Sequence, residues 1–212
     1  MSTRVSESTV EPTTGQWTTV EIVVTASLAV AFGVVFWAWN LLWTATGGAF
    51  AGLPPVQGLM YGVWLAPGVL AGLVVQRKGA AFFAAFLAAA LSAVFGSQWG
   101  LVALVYGAVQ GVAPEFVFAL RGYRRPGVVV ALLAALATGV GSLGLDLVLY
   151  YPTWSSEWKW LYTATLLTSA VVVAGLGSWL LARALRATGV LDALPASLPA
   201  SLPGSVSASR NE

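Results

Sequence analysis

Six long apolar stretches, separated by short polar or glycine- and proline-containing connections, dominate the chain. Apolar runs of about 20 residues predict membrane-spanning helices, whereas a membrane β-barrel would show shorter segments of alternating polarity. The pattern therefore predicts an all-α membrane protein with a bundle of six transmembrane helices. The predicted spans are residues 19–45, 56–76, 79–96, 99–121, 127–150 and 160–187, of which the third is short.

The two ends of the chain differ from this apolar region in composition. Residues 1–18 are rich in Ser, Thr and Glu, and we expect a disordered tail there. Residues 188–212 contain the repeat LPAS-LPAS-LPGS, in which regularly spaced prolines block a helix. They predict a second, low-complexity tail. Residues 19–187 form the predicted membrane domain.

Basic residues mark one side of the predicted bundle. In a six-helix arrangement, nine of the ten Lys and Arg residues fall on one side and only Lys159 falls on the other. Positively charged loops stay in the cytoplasm. Both termini, and therefore both tails, are predicted to be cytoplasmic, with the chain crossing the lipid bilayer several times.

Composition narrows the possible chemistry. The chain is 58% hydrophobic and 8% charged and contains no Cys and no His, whereas a soluble domain carries about 25% charged residues. Thiolate metal sites and histidine general bases are excluded, and the sequence lacks the GxxxxGK[ST] nucleotide-binding motif. We expect neither enzymatic activity, nor a bound cofactor or metal, nor a nucleic-acid partner.

Polar side chains inside the apolar stretches are costly in lipid and tend to face the protein interior. On four helices they share a face with aromatic residues in the outer half, at the 3.6-residue period. An interfacial aromatic belt or helix–helix hydrogen bonding would explain single members, but four converging stripes predict a cavity open to the outside. The predicted substrate-binding residues are Asn40, Trp43, Gln57, Tyr61, Trp64, Gln98, Trp99, Tyr106, Gln110, Asp146 and Tyr150. For Gln98, contact with the ligand and support of the surrounding turn both stay open.

The same residues indicate the class of ligand. No Lys or Arg lies deep in a predicted span, so an anion is a poor fit. Aromatic faces suit flat rings and cations, amides suit the edge of a heterocycle, and Asp146 would accept from a ring amine or balance a positive charge. We predict a neutral or cationic heteroaromatic ligand. A stand-alone secondary transporter, with Asp146 or Glu115 carrying a proton, is the alternative to a transporter powered by partner subunits.

Two further sets of residues are assigned to structure or to partner contacts. Glu115 lies near the cytoplasmic end of the fourth span, where an ion pair or a subunit contact is favoured over ligand binding. Thr25, Ala29 and Gly33 repeat every four residues on the first span. Because such spacing lets another helix approach closely, it would suit docking of a partner subunit.

Several short motifs resemble the YkoE family, whose members are substrate-binding (S) components of energy-coupling factor (ECF) transporters. They are GSQWG at 96–100, VQG at 109–111, EFVFAL at 115–120 and YRR at 123–125. The resemblance covers most of residues 20–187. It implies an S-component-like bundle in the bacterial cytoplasmic (inner) membrane that binds hydroxymethylpyrimidine or thiamine from outside. It also implies a transmembrane coupling subunit and two cytoplasmic ATPase subunits as partners. ATP is used by these partner subunits and not by the S component itself.

The family motif contains four of the residues discussed above, namely Gln98, Trp99, Gln110 and Glu115. The resemblance carries ligand or structural roles over to these positions and to no others. Two departures from the family pattern stand out. Ser97 occupies a position where Asn is expected, and the first span lacks the Ala-x-x-x-Ala repeat that contacts the coupling subunit.

Overall fold

The computed structural model describes residues 17–123, 126–192 and 194, and the regular secondary structure within these ranges is helical. The α-helices are α1 (Thr19–Thr46), α2 (Gly62–Val75), α3 (Ala80–Val94), α4 (Val102–Leu120), α5 (Val128–Leu149), α6 (Ser156–Ser169) and α7 (Ser178–Ala187). A 3₁₀ helix at Pro54–Met60 precedes α2, and a π-helical segment at Ala170–Gly177 joins α6 to α7.

Five helical stretches in the described ranges are long and apolar enough to cross a membrane, and α3 is a shorter apolar helix of 15 residues. The five are Thr19–Thr46, Pro54–Val75, Val102–Leu120, Val128–Leu149 and Ser156–Ala187. The prediction of an all-helical, multi-pass membrane protein is confirmed at this level. Six complete spans and cytoplasmic termini stay predictions.

Helix α2 is the centre of the bundle. It packs against α1, α3, α4, α5, the π-helical segment and α7, and every residue from Leu65 to Val75 is buried. Small side chains allow this close packing: a Cβ added at Gly72 would lie 2.1 Å from the ring of Phe118. Because lipid tails are as apolar as the core, such tight van der Waals contact is a main source of helix association in membranes.

The first part of the predicted second span is a 3₁₀ helix and not an α-helix. Its backbone is held against α6, where Thr165 Oγ1 donates to the carbonyl of Pro55 at 2.7 Å. Ser169 Oγ donates to the carbonyl of Leu59 at 2.6 Å and accepts from the Gly62 N–H at 2.9 Å. Irregular backbone is tolerated at membrane depth when it is buried in protein and its polar groups find such partners.

Two predicted helix starts are also corrected. Helix α4 begins at Val102 and not at residue 99, because the turn before it contains Gly96 and Gly100 with φ of +88° and +53°. These left-handed conformations end one helix before the next begins. Helix α6 begins at Ser156 and not at residue 160, since Ser155 caps it by accepting from the Trp158 N–H at 3.5 Å.

The folded chain extends beyond the predicted domain limits of 19 and 187. Trp17 Nε1 donates to the carbonyl of Lys78 at 3.1 Å, and its ring meets the ring of Phe83 edge-on at 6.3 Å. At the other end, Leu191 and Leu194 are buried in the hydrophobic core. The predicted limits are therefore too narrow. The rest of both predicted tails lies outside the described residues.

We predict that Gly62→Ala destabilises the protein. A Cβ at Gly62 would lie 2.4 Å from the carbonyl oxygen of Ser169, and overpacking of this kind costs about 1–3 kcal/mol. Gly144→Ala is the matched control, because a Cβ at this α5 position meets nothing within 4 Å. Thermal unfolding in detergent should show a lower midpoint for Gly62→Ala alone. Equal midpoints for the two variants would contradict the close contact.

Candidate functional site

A cavity of about 590 Å³ lies at the end of the bundle where α1 finishes and α4 begins. Nine of its sixteen lining residues are aromatic. The lining residues are Phe36, Asn40, Trp43, Tyr61, Trp64, Ala89, Ser92, Ser97, Trp99, Ala103, Tyr106, Gln110, Asp146, Tyr150, Tyr151 and Tyr162.

The structure brings most of the predicted binding residues together in this cavity. They come from the four helices whose stripes were expected to converge. These residues are Asn40, Trp43, Tyr61, Trp64, Trp99, Tyr106, Gln110, Asp146 and Tyr150. Their contact with a ligand stays a prediction.

Gln57 and Gln98 do not line the cavity, which corrects their predicted placement. Gln57 Nε2 donates to the carbonyl of Trp43 at 2.9 Å. Gln98 Oε1 accepts a hydrogen bond from Thr44 Oγ1. Both amides tie a connecting segment to the end of α1, since each lies within reach of a polar group there. Of the two roles considered for Gln98, the structure supports that of holding the turn.

Asp146 is the centre of the polar part of the cavity. It is 4% exposed, and its Oδ1 accepts from the hydroxyls of Tyr61, at 3.2 Å, and Tyr106. Its Oδ2 accepts from the Tyr162 hydroxyl at 2.7 Å. A carboxylate has about four acceptor positions, so the three tyrosines leave one for a ligand.

Two amides complete the polar lining. Gln110 Nε2 on α4 donates to Ser142 Oγ on α5 at 3.3 Å. Asn40 Nδ2 on α1 donates to Ser92 Oγ at 3.1 Å and to Ser97 Oγ at 3.0 Å. These bonds connect neighbouring elements across the cavity wall and fix the amide positions.

The aromatic rings form a continuous wall from α1 to α5. Trp43 lies 5.0 Å from Trp64 and 6.5 Å from Trp99, measured between ring centroids. Trp99 meets Tyr150 at 5.5 Å, and Tyr150 meets Tyr106 at 6.4 Å. Tilted and edge-on arrangements of this kind are favourable for aromatic pairs. The wall suits a flat ring or a cation.

The sequence analysis did not predict that α3 and α6 contribute to the cavity. Helix α3 contributes Ala89 and Ser92, and helix α6 contributes Tyr162. Tyr162 is fully buried, bonds to Asp146 and meets Tyr151 edge-on at 5.0 Å. A hydroxyl-bearing aromatic inside an apolar stretch is the signal that identified Tyr106, and it applies equally to Tyr162. Tyr151, which follows α5, also lines the cavity. Burial raises the pKa of Tyr151 to about 12, so this ring is neutral at physiological pH.

Glu115 lies at the opposite end of α4 and is not part of the cavity. Its Oε1 accepts from the Gly79 N–H and from the Tyr123 hydroxyl, both at 2.5 Å. Its Oε2 accepts from the N–H groups of Ala81, at 3.1 Å, and Phe82, at 3.4 Å. The carboxylate thus satisfies free N–H groups at the start of α3. In the described ranges this helix cap takes the place of the expected ion pair.

Thr25, Ala29 and Gly33 are buried inside the bundle. A Cβ at Gly33 would lie 2.8 Å from the Cβ of Leu91 on α3. Because buried residues cannot meet another subunit, the expected docking face on this stripe is corrected. The four-residue spacing serves the packing of α1 inside its own chain.

An ion pair between the buried Glu21 and the partly exposed Arg77, at the start of α1, was not predicted. Glu21 is 1% exposed, and its Oε1 lies 2.5 Å from Arg77 Nε. Its Oε2 accepts from the Thr18 N–H at 2.8 Å, while the Glu21 N–H donates to Thr18 Oγ1 at 3.3 Å. The sequence signal is the T-x-x-E capping box at residues 18–21. The pair ties α1 to the α2–α3 turn.

Comparisons with known proteins agree with this arrangement. A family described as "ABC-type cobalt transport system, permease component" matches residues 20–141. The "Putative HMP/thiamine permease protein YkoE" of Bacillus subtilis (strain 168) is 30% identical over 181 residues, which is 84% of this chain and 89% of that protein. The chain belongs to the YkoE family.

The fold of this YkoE-family protein matches that of a solved transporter subunit. The chain described as "Crystal structure of an S-component of ECF transporter" aligns with a TM-score of 0.79 and 28% identity. The alignment covers 85% of the present chain and 91% of the solved one. The protein therefore has an S-component fold, and these relatives are transporter components and not enzymes.

We predict that Tyr162→Phe lowers stability and Tyr150→Phe does not. Removing the Tyr162 hydroxyl leaves Asp146 Oδ2 without its tyrosine donor, at a cost of about 1–3 kcal/mol. Tyr150 is 41% exposed, and its hydroxyl is absent from the contacts of Asp146 described above. Thermal unfolding of both variants in detergent tests the difference. A Tyr162→Phe midpoint equal to that of the unchanged protein would contradict a stabilising role for the cluster.

We also predict that Glu115→Gln destabilises the end of the bundle opposite the cavity. The amide keeps one acceptor oxygen, but loses the charge and the second acceptor that cap α3, which is worth about 1–2 kcal/mol. Glu157→Gln, in the exposed first turn of α6, is the control. Amide hydrogen exchange at residues 79–82 should accelerate in the Glu115 variant only. Unchanged protection there would show that the cap is dispensable.

Proposed function

We propose that this protein captures thiamine, or its hydroxymethylpyrimidine precursor, from outside the bacterial cytoplasmic membrane as the S component of an ECF importer. A transmembrane coupling subunit and two cytoplasmic ATPases would complete the transporter. Family membership and the S-component fold support the transporter class. The name of the Bacillus relative supports the choice of substrate.

The aromatic cavity around Asp146 is the main observation that supports the proposed class of substrate. Thiamine is a cation with a flat aminopyrimidine ring, and Trp and Tyr faces attract both features. The acceptor position left on Asp146 would take a donor from the amine or balance the positive ring. Hydroxymethylpyrimidine shares the aminopyrimidine half of thiamine, so the same cavity serves both ligands.

A metal ion is a poorer fit than an organic ligand, although the matching family is described by cobalt transport. The chain contains neither His nor Cys. In the described ranges, no group of three or more His, Cys, Asp or Glu residues is placed to hold a metal ion. Asp146 in the cavity is already engaged by three tyrosines.

A binding titration tests this proposal. We expect thiamine or hydroxymethylpyrimidine to quench the tryptophan fluorescence of the purified protein, because Trp43, Trp64 and Trp99 line the cavity. Trp99→Ala should weaken binding about tenfold to hundredfold through lost stacking and cation–π contact. Trp160→Ala is the control, since this α6 residue is 74% exposed and lies outside the cavity lining. Absence of binding of both ligands to the unchanged protein would overturn the substrate class.

A stand-alone, proton-coupled secondary transporter is the second candidate. The observation in its favour is a buried carboxylate, Asp146, beside the ligand cavity, since intramembrane carboxylates serve as proton carriers in many transporters. Uptake of thiamine into proteoliposomes separates the two candidates. If the protein is an ECF S component, thiamine should accumulate only when the coupling subunit, the ATPases and ATP are present. Accumulation by this protein alone, driven by a proton gradient, would establish the alternative.

A further inference from the structure

An aromatic ring lies behind the cavity wall, in the connection between α5 and α6. Tyr150 and Tyr151 belong to this connection and line the cavity. Trp154 is not a lining residue, but its ring stacks on that of Tyr151, with 3.9 Å between the centroids and 20° between the planes. This is the shortest centroid distance among the ring pairs of the described residues. Trp154 therefore covers one face of the Tyr151 ring from outside the cavity.

The backbone gives Tyr151 less support than it gives the helical members of the wall. The N–H groups of Tyr150 and Tyr151 both donate to the carbonyl of Asp146 at 2.9 Å, where α5 ends. The next bond along the chain, from the Trp154 N–H to the Tyr151 carbonyl, is long at 3.4 Å. Tyr106, by contrast, stands within α4, whose regular backbone sets the direction of its side chains. The position of the Tyr151 ring therefore depends more on side-chain contacts.

Tyr162 is the third member of this cluster and has an anchor of its own. It meets Tyr151 edge-on at 5.0 Å and Trp154 edge-on at 5.6 Å. Tyr162 is 1% exposed, and its hydroxyl donates to Asp146 Oδ2. Burial and this hydrogen bond fix Tyr162 without help from Trp154. For Tyr151, the stack on Trp154 is the closest ring contact.

Trp residues near helix ends are also common in the aromatic belt at a membrane surface. Trp160 on α6 fits that role, because it is 74% exposed and lies outside the cavity lining. Trp154 differs from it, since it is partly buried and contacts two rings that line the cavity. Its contacts favour a role in the binding site.

We propose that Trp154 is a positioning residue of the ligand site, whose indole holds the Tyr151 ring in the cavity wall and acts on the ligand through that ring. This inference rests on the proposed function, because the affinity for thiamine is the quantity that reports it. A ring that is already ordered loses less freedom when a ligand binds, so the stack strengthens binding without touching the ligand. Without Trp154, the ligand itself would have to order Tyr151.

Isothermal titration calorimetry with thiamine tests the inference on the full-length protein, since this readout does not depend on the number of tryptophans. Trp154→Leu should weaken binding about three- to tenfold, which corresponds to the cost of ordering one side chain. Trp154→Phe keeps a flat ring and should bind within about twofold of the unchanged protein. In a Tyr151→Leu background, Trp154→Leu should change the affinity by less than about twofold, because the ring that it positions is gone.

Trp160→Leu is the matched control, because it makes the same replacement at an exposed tryptophan outside the cavity lining. Its affinity should stay that of the unchanged protein. Size-exclusion chromatography and thermal unfolding report whether each variant folds. If Trp154→Leu does not fold, Trp154→Met replaces it in both backgrounds, since Met fills apolar space but presents no flat face.

The outcomes separate this inference from the proposed function. If neither thiamine nor hydroxymethylpyrimidine binds the unchanged protein, the proposed function fails and the inference fails with it. If only hydroxymethylpyrimidine binds, it replaces thiamine as the probe. Unchanged affinity in folded Trp154→Leu, or an equal loss in Trp160→Leu, overturns the inference alone. The same holds if Trp154→Phe binds as weakly as Trp154→Leu, or if the loss persists in the Tyr151→Leu background.

Discussion

A carboxylate inside a lipid-embedded bundle persists only where donors surround it, because neither lipid nor apolar side chains replace its hydration. Asp146 meets this constraint with three tyrosine hydroxyls that come from the residue before α2, from α4 and from α6. The carboxylate itself belongs to α5, so one polar centre fixes four elements relative to one another. The shape of the cavity follows, since the rings that carry these hydroxyls are also its walls.

Close backbone contact provides the second support for this arrangement. Pro114 cannot donate to the carbonyl of Gln110, which therefore loses its helical partner. A Cβ placed at Gly68 on α2 would lie 2.9 Å from that carbonyl oxygen. The part of α4 around Pro114 thus lies close against the central helix, one turn from Tyr106 of the aromatic wall. Larger side chains at such positions would push the helices apart and open the cavity.

Much of the cavity could be predicted because a helix of 3.6 residues per turn places Tyr106 and Gln110 on one face of α4. Trp99, which lies in the turn before α4, also lines the cavity. The period alone does not tell where an amide in a connecting segment bonds, and so the sequence left two roles open for Gln98. Small residues spaced by four predict a close helix contact, but they do not identify the neighbouring helix. The repeat that includes Gly33 fits any close neighbour, and only the fold shows that this neighbour is α3 of the same chain. Tyr162 carries the same sequence signal as Tyr106, a hydroxyl-bearing aromatic inside an apolar stretch, but only the fold shows that its hydroxyl bonds to Asp146.

The brevity of α3 has a consequence for the surrounding membrane. Fifteen residues span about 22 Å at 1.5 Å per residue, whereas the hydrocarbon core of a bilayer is about 30 Å thick. A span shorter than the hydrocarbon core is accommodated by local thinning of the bilayer, by snorkelling of flanking residues or by association with other helices. If α3 crosses the membrane, thinning there would bring headgroups and water toward Ser97 and Trp99 of the cavity lining. A hydrated dimple of this kind would let a charged solute approach the cavity without first crossing hydrocarbon.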